Sequence, residues 1–295
     1  MKNFCVSVVI PTYKRSTMLR RAIDSILSQT YKNIEIIVVD DNNPDSEWRK
    51  KTEAVMSHYL GNDLIKYIKH EKNLNGSAAR NTGIKESKGD LVTFLDDDDW
   101  YYPKKIEKQV EYLFSHPEHH AVYCGWKRYG NEIPIGEGDM SFSILSGKSI
   151  IITNSIMMWK KDAVACGGFD PSFRRHQEAV FLLNYAQIGG TFGRIEDILI
   201  EFDMSDRSNT LNPQHNERVI RDLLEKFQSL IDKLEKNKKG SKRNIYCLRF
   251  RGIMYDYIIN NDLKQALRIY VTMVLKWPFY FNYYLLQDLC SRVIK

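Results

Sequence analysis

Leu91-Val92-Thr93-Phe94-Leu95-Asp96-Asp97-Asp98-Asp99-Trp100 decides how this chain is read. Its first five residues are apolar or β-branched and predict a buried strand. Four consecutive carboxylates then end the strand. Like charges on adjacent residues repel, most strongly where the dielectric is low, and a bound cation relieves that repulsion. Carboxylate oxygens are hard ligands, suited to Mg²⁺ or Mn²⁺ rather than to soft metals. Taken alone, such a run reads equally well as a solvated acidic turn. It is not an EF-hand loop, because Asp96, Asp98, Trp100 and Tyr101 lack the alternating acids and the glycine which that loop needs. It is not the second motif of a P-loop ATPase either, because the chain contains no GxxxxGK[ST].

Working back toward the N-terminus, Val6–Ile10 predicts a first buried strand, closed by Pro11-Thr12-Tyr13. Leu19, Ala22, Ile23, Ile26 and Leu27 then recur at helical spacing. A second strand, Ile34–Val39, is closed by Asp40-Asp41-Asn42-Asn43-Pro44, and a weakly amphipathic helix runs from about Ser46 to Leu60. Ile65–Ile68 is the third strand. A polar loop, Glu71–Gly76, leads into a helix over Ser77–Glu86. Strands alternating with helices predict a parallel, doubly wound sheet. In such a sheet the carboxyl ends of the strands carry the ligand, and here two of three such ends are acidic.

No GxGxxG follows the first strand, so a dinucleotide cofactor is not expected. The phosphate-neutralising segment is instead Asn73-Leu74-Asn75-Gly76-Ser77-Ala78-Ala79-Arg80-Asn81. Gly76 and its small neighbours permit close backbone approach at a helix start, which favours anions. Arg80 adds a charge-assisted contact.

Four segments together resemble the family 2 glycosyltransferases: VSVVIPTYKR at 6–15, QTYKNIEIIVVDD at 29–41, NLNGSAARNTGI at 73–84 and GDLVTFLDDDDW at 89–100. GGFDPSFRRHQEAVFLLNYA at 167–186 is similar to the acceptor-side segment of that family. The resemblance covers roughly residues 4–210. It implies a GT-A fold, an α/β architecture with a mostly parallel central sheet. It also implies an inverting transferase that uses a nucleotide diphosphate sugar, often a UDP-sugar. By this resemblance Pro11, Thr12, Tyr13 and Asp40 or Asp41 hold base and ribose. Asn73 and Arg80 lie near base and diphosphate. Asp96-Asp97-Asp98 corresponds to the DXD motif, with Asp98 ligating Mn²⁺ or Mg²⁺ and Asp96 or Asp97 assisting at ribose or metal. Glu178 stands where the family more often has Asp, its general base, and Val180 replaces a commonly acidic residue. Asp170, Glu196 and Asp197 are the competing base candidates. His176 beside Glu178 is read as structural.

The 295 residues are 43% apolar and 27% charged, the composition of a folded protein with a sizeable core. Met1-Lys2-Asn3 runs directly into a strand, so no signal peptide is expected. No run of 18 apolar residues predicts a membrane span. Cys5, Cys124, Cys166, Cys247 and Cys290 are far apart and form no CxxC pair, which points to reduced thiols and a cytoplasmic location and away from zinc. Two domains are expected, a catalytic one over 1–212 and a helical one over 213–295. Asp203–Asn209 reads as a surface loop, with closure over the diphosphate as the alternative. Residues 216–295 hold 16 Lys and Arg against 8 Asp and Glu, whereas the whole chain carries only +6. With the aromatic run Trp277–Leu286, this excess suggests peripheral contact with the inner face of a membrane, or a helical subdomain that merely packs. No nucleic-acid-binding motif is present. The expected partners are therefore a sugar-nucleotide donor and a saccharide or lipid-linked acceptor, as in cell-surface polysaccharide synthesis. Two rivals are a nucleotidyltransferase, which releases pyrophosphate, and a non-catalytic sugar-nucleotide binder.

Overall fold

The computed structural model describes residues 4–203 and 212–293. Contacts divide the chain into two compact units, one of Met1–Met140 with Ile151–Asp206 and one of Ser141–Ile150 with Arg207–Lys295.

The first unit is built on a nine-stranded sheet: β1 (Val6–Thr12), β2 (Ile34–Asp40), β3 (Ile65–Lys69), β4 (Leu91–Phe94), β5 (Trp100–Tyr101), β6 (Ala121–Lys127), β7 (Asn131–Glu132), β8 (Ile156–Trp159) and β9 (Phe192–Glu201). The order across it is β3-β2-β1-β4-β8-β6-β9-β5, with β7 paired to β6. β3, β2, β1 and β4 are parallel, as the alternation of strands and helices predicts. β8 then runs antiparallel to both β4 and β6, β9 is parallel to β6, and β5 is antiparallel to β9. The chain leaves β1 toward β2 on one side and returns to β4 on the other, so the strand order reverses at β1. Crevices at such reversals are where open α/β sheets bind ligands.

Six helices flank this sheet: α1 (Ser16–Leu27), α2 (Glu47–Met56), α3 (Gly76–Glu86), α4 (Lys105–Ser115), α6 (Lys160–Ala165) and α7 (Gln177–Gln187). Side chains along a strand alternate faces. Val6, Val8 and Ile10 of β1 and Ile36 and Val38 of β2 join the buried cluster containing Leu19, Ala22, Ile23 and Ile26 of α1. Ile37 and Val39 of β2 form a separate cluster with Ala79 of α3. On that face a Cβ on Gly83 would collide with the Val9 side chain, so α3 lies close against β1. Lys105 opens α4 fully buried, its Nζ donating to Thr93 Oγ1 at 2.5 Å and lying 4.0 Å from the Tyr101 ring centre. Burial pushes this ammonium down to about 7. Cys5, Cys124 and Cys166 in this unit, and Cys247 in the other, are free thiols.

The second unit is helical, comprising α5 (Ser141–Ser146), α8 (Pro213–Lys226), α9 (Gln228–Asn237), α10 (Ser241–Ile259), α11 (Leu263–Lys276) and α12 (Pro278–Val293). The sequence predicts one helix over Pro213–Leu234, but the chain breaks at Phe227, which is fully buried. The sequence of residues 136–149 reads as loop-rich, and the short helix α5 forms within it. Arg249 of α10 donates to the carbonyls of Ile144 and Leu145, satisfying the free end of that short helix. Among the described residues no helix is long and apolar enough to cross a membrane. Of the Asp203–Asn209 loop only Asp203 lies within the described residues.

Candidate active site

The acidic run folds as a tight turn, with the Asp99 amide donating to the Asp96 carbonyl at 3.2 Å. The turn gives the four carboxylates two different environments. Asp97 and Asp99 are buried, while Asp96 and Asp98 are half-exposed. Thr12 at the end of β1 donates its hydroxyl to Asp97 Oδ2 at 2.7 Å, tying two strand ends together across the β1–β4 reversal. Asn154 holds the turn from β8's side. Its Oδ1 accepts the Asp96 amide at 2.9 Å and its amide nitrogen donates to Asp99. The Asp203 amide donates to Asp99 Oδ1 at 2.7 Å.

Packed carboxylates resist ionisation. Burial, and then the charge of Asp98, push Asp97 up to about 8. Burial and the charges of Asp98 and Asp96 push Asp99 up to about 9, and burial and Asp96 push Asp98 up to about 6. Three guanidinium groups meet this turn, those of Arg15, Arg21 and Arg80. Arg15 pairs with Asp98 at 2.5 Å. Arg21 donates to the Asp98 carbonyl and to Asp203 while stacking 4.1 Å over Trp100.

Arg80 reaches across the site. It is buried on α3, and its guanidinium pairs with Asp96 and donates to Gln177 Oε1 at 2.8 Å. Gln177 opens α7, one residue before Glu178. A Cβ on Gly76 would stand 3.1 Å from Arg80 Nη1 and 3.4 Å from Gln177 Oε1, so glycine keeps room for this bridge. Glu178 is half-buried in the first turn of α7 and makes no hydrogen bond or ion pair among the described residues. The dipole of that helix start favours its negative charge.

The loop before α3 is fixed by Asp41. Its carboxylate accepts from His70, the Asn73 side chain and the amides of Leu74 and Asn75, all between 2.7 and 2.9 Å. Asp40 is fully buried beneath it and is engaged by Asn42, Tyr67 and Arg49. Both carboxylates are therefore taken up by contacts within the protein. Tyr13 is exposed with Lys14 over its ring, Pro11 is half-buried, and Asn73 is exposed. Three non-glycine residues with positive φ border this region: Lys14 after β1, Asn75 at the start of α3 and His176 before α7. Each costs of order 1–3 kcal/mol, the strain that functional sites tend to hold. Glu196 pairs with Arg194 and Asp197 with Lys108, whereas Asp170 accepts from Ser172 in a local turn.

Pro11, Thr12, Asn73, Arg80 and Asp96–Asp98 thus lie on the segments that meet at one sheet edge, and Arg80 joins Glu178's helix to them. Sequence reasoning missed Arg15, Arg21, Asn154 and Gln177. Asn154 had one legible signal, as a polar residue inside an apolar run. Among the described residues no three His, Cys, Asp or Glu groups form a self-contained metal cage. Mg²⁺ and Mn²⁺ sites of transferases commonly use one or two carboxylates and leave the other positions to water and substrate phosphates. Asp96 and Asp98, half-exposed beside two buried carboxylic acids, fit that partial donor set.

The family model "Glycosyl transferase family 2" matches residues 7–176. An uncharacterized glycosyltransferase of Rickettsia typhi is 33% identical over 70% of this chain and 65% of its own length. The chain spans only 15% of a Rickettsia bellii relative, to which it is 46% identical over 108 residues. The amylovoran biosynthesis glycosyltransferase AmsB of Erwinia amylovora is 30% identical over 70% of this chain and 72% of its own. Among solved structures, S. aureus TarS 1-349 in complex with UDP-GlcNAc aligns with a TM-score of 0.62 at 14% identity, covering 93% of this chain and 91% of that one. The mannosyltransferase PcManGT of Pyrobaculum calidifontis, in complex with GDP-Man and Mn²⁺, gives 0.62 at 15% identity, covering 93% and 81%. These likenesses show the fold, and it is the GT-A architecture expected from the motifs. With more than half its length matched by the family model, this chain belongs to the family 2 glycosyltransferases.

Proposed function

We propose that the protein transfers a sugar from a nucleotide diphosphate donor, UDP-linked by preference, to a hydroxyl of a saccharide or lipid-linked acceptor in cell-surface polysaccharide synthesis. One observation carries this reading. The Arg80 guanidinium connects Asp96, on the donor side, with Gln177, beside Glu178 on the acceptor side. A single displacement needs both halves held in register.

Tyr13 offers its face to the base, and the Asn73–Gly76 loop, fixed by Asp41, forms the wall beside base and ribose. Asp96 and Asp98 would hold a divalent cation, which when bound stabilises charge on the leaving diphosphate. Arg15 neutralises Asp98 and stands ready beside the same phosphates. Thr12 and Asn154 keep Asp97 and Asp99 turned inward, so the turn presents only its two outer carboxylates. Glu178 accepts the acceptor hydroxyl's proton as that oxygen bonds to the anomeric carbon. The bond from that carbon to the diphosphate oxygen breaks, and its electron pair leaves with the diphosphate. Attack opposite the leaving group inverts the anomeric centre.

The AmsB likeness supports a polysaccharide acceptor, and the TarS and PcManGT complexes support a nucleotide-sugar donor. The test is a panel of UDP- and GDP-sugars with Mn²⁺, followed by nucleoside diphosphate release on adding saccharide acceptors. Release from one donor, dependent on the divalent cation, is the expected result. Pyrophosphate release from a nucleoside triphosphate would overturn the reading.

A further inference from the structure

Arg15 and Arg80 pair with the outer carboxylates of the acidic turn, whereas Arg21 holds its backbone. Arg21 Nη2 donates to the Asp98 carbonyl at 2.5 Å and to Asp203 Oδ2 at 2.6 Å, and the guanidinium lies 4.1 Å over the Trp100 ring. Asp203 follows the end of β9 and is bound to the same turn in two ways. Its carboxylate takes Arg21, and its amide donates to the buried Asp99 carboxylate at 2.7 Å. Asp98, Arg21, Asp203 and Asp99 thus close a ring of contacts that joins positions 104 residues apart. The strands frame it, since Trp100 and Tyr101 of β5 pair with Glu201 and Ile200 of β9. An exposed ion pair alone is worth little. Arg21 is instead fixed at a carbonyl, a carboxylate and an aromatic face.

We propose that Arg21 and Asp203 are positioning residues for the divalent cation. Their clasp fixes the peptide between Asp98 and Asp99, so that the Asp98 carboxylate stays outward while that of Asp99 stays inward. The proposal rests on the reading of Asp96 and Asp98 as the carboxylates that hold the cation. Each other acid of the turn has its own tether. Thr12 holds the Asp97 carboxylate, and Asn154 holds the Asp96 amide and the Asp99 carboxylate. For Asp98 the backbone tether is Arg21. Arg15 pairs with the Asp98 carboxylate, which a cation would have to share, whereas Arg21 takes the carbonyl and leaves that carboxylate to the cation.

Charge and position make opposite predictions. As a bare positive charge beside the site, Arg21 repels a cation, and removing it would tighten cation binding. As a clasp it keeps a ligand in place, and removing it weakens binding. The test measures calorimetric UDP binding to the full chain at a series of Mn²⁺ concentrations, and reads the Mn²⁺ concentration that gives half-maximal binding. Arg21→Met should raise that concentration by about 10–100-fold, the usual cost of losing a group that orients a metal ligand. Asp203→Asn keeps the amide bond to Asp99 and gives up the pull on Arg21. Added to Arg21→Met it should cost little more, because the two residues act through one clasp. Two independent charges would instead cancel and return the double variant to wild-type behaviour. The Arg21 side chain is 40% exposed, so circular dichroism and Tm without cation should match wild type. An unchanged or lower Mn²⁺ requirement in Arg21→Met, or a double variant that behaves as wild type, would overturn the clasp and leave the donor reading in place. So would a weakened Arg21→Met whose cation-free Tm has also fallen, which would make Arg21 a folding contact. Wild-type UDP binding that ignores Mn²⁺ would overturn the clasp and the cation reading together.

Discussion

Arg80 shows how much depends on single side chains in this site. One planar guanidinium pairs with Asp96, donates to Gln177 and lies 5.4 Å over the Phe169 ring. Lysine keeps the charge but not the fork, so it cannot bridge both partners. Arg80→Lys should weaken donor binding and slow transfer together, each by about 1.5–3 kcal/mol, the worth of a hydrogen bond to a charged group. Steady-state kinetics against donor and acceptor would show this. An effect on donor KM alone would mean that the link to α7 is idle. The sequence pointed to Arg80 as a nucleotide contact, and the structure shows it as the joint between two segments 97 positions apart. That pairing is invisible in the sequence because nothing local to Arg80 or Gln177 requires it.

At the level of elements, legibility follows local pattern. β1, β2 and β4 are legible because each is a short, largely apolar run, and β3 because Ile65, Tyr67 and Ile68 stand between turn signals, as the helices do. β9 is not, since Arg194, Glu196 and Asp197 interrupt its apolar alternation. The register shift opposite Cys124 and Gly125 explains how it tolerates them, with Ile195 and Ile198 pairing on either side of Glu196 and Asp197. Gly125 leaves room there, where a Cβ would stand 2.8 Å from Ile198 Cδ1. The close approach of α3 to β1 gives a direct prediction. Gly83→Ala should destabilise the protein by about 1–3 kcal/mol, as overpacking does, measured by urea unfolding. A neutral effect would show that α3 can move off the sheet.

α4 gives a second prediction, through Lys105. Its ammonium value is lowered to about 7 by burial, while an unfolded lysine titrates near about 10.4. Below about 7 both states carry the proton, so the cost of burying the charge is present in full. Between about 7 and 10.4 only the unfolded state holds it, and native stability from this group rises with pH. Lys105→Met should therefore stabilise the protein by on the order of 2–4 kcal/mol at and below neutrality. That gain should shrink as pH rises toward 10. Urea unfolding at several pH values measures the difference, and a gain independent of pH would show that Lys105 is not held as described.

For the whole molecule, the acidic turn would link stability to the proposed cation. Asp97, Asp98 and Asp99 are all raised above an ordinary carboxylate, so the native state favours their protonated forms. Without a cation, that stability is present below about 4 and is lost as pH rises through about 6 to 9. Mn²⁺ should accordingly raise Tm more at about pH 8.5 than at about pH 5.5, since ligation needs ionised carboxylates. Equal shifts would place the ion elsewhere. The most direct test of the central claim, that donor and base sides are separate functions joined in one site, is calorimetric titration of UDP and GDP with Mn²⁺ into wild type, Asp98→Ala and Glu178→Gln, with single-turnover transfer measured in parallel. The account predicts cation-dependent nucleotide binding in wild type and its loss in Asp98→Ala. Glu178→Gln should bind nucleotide like wild type but transfer about 10²–10⁴-fold more slowly. Unchanged binding in Asp98→Ala, or wild-type transfer by Glu178→Gln, would contradict it.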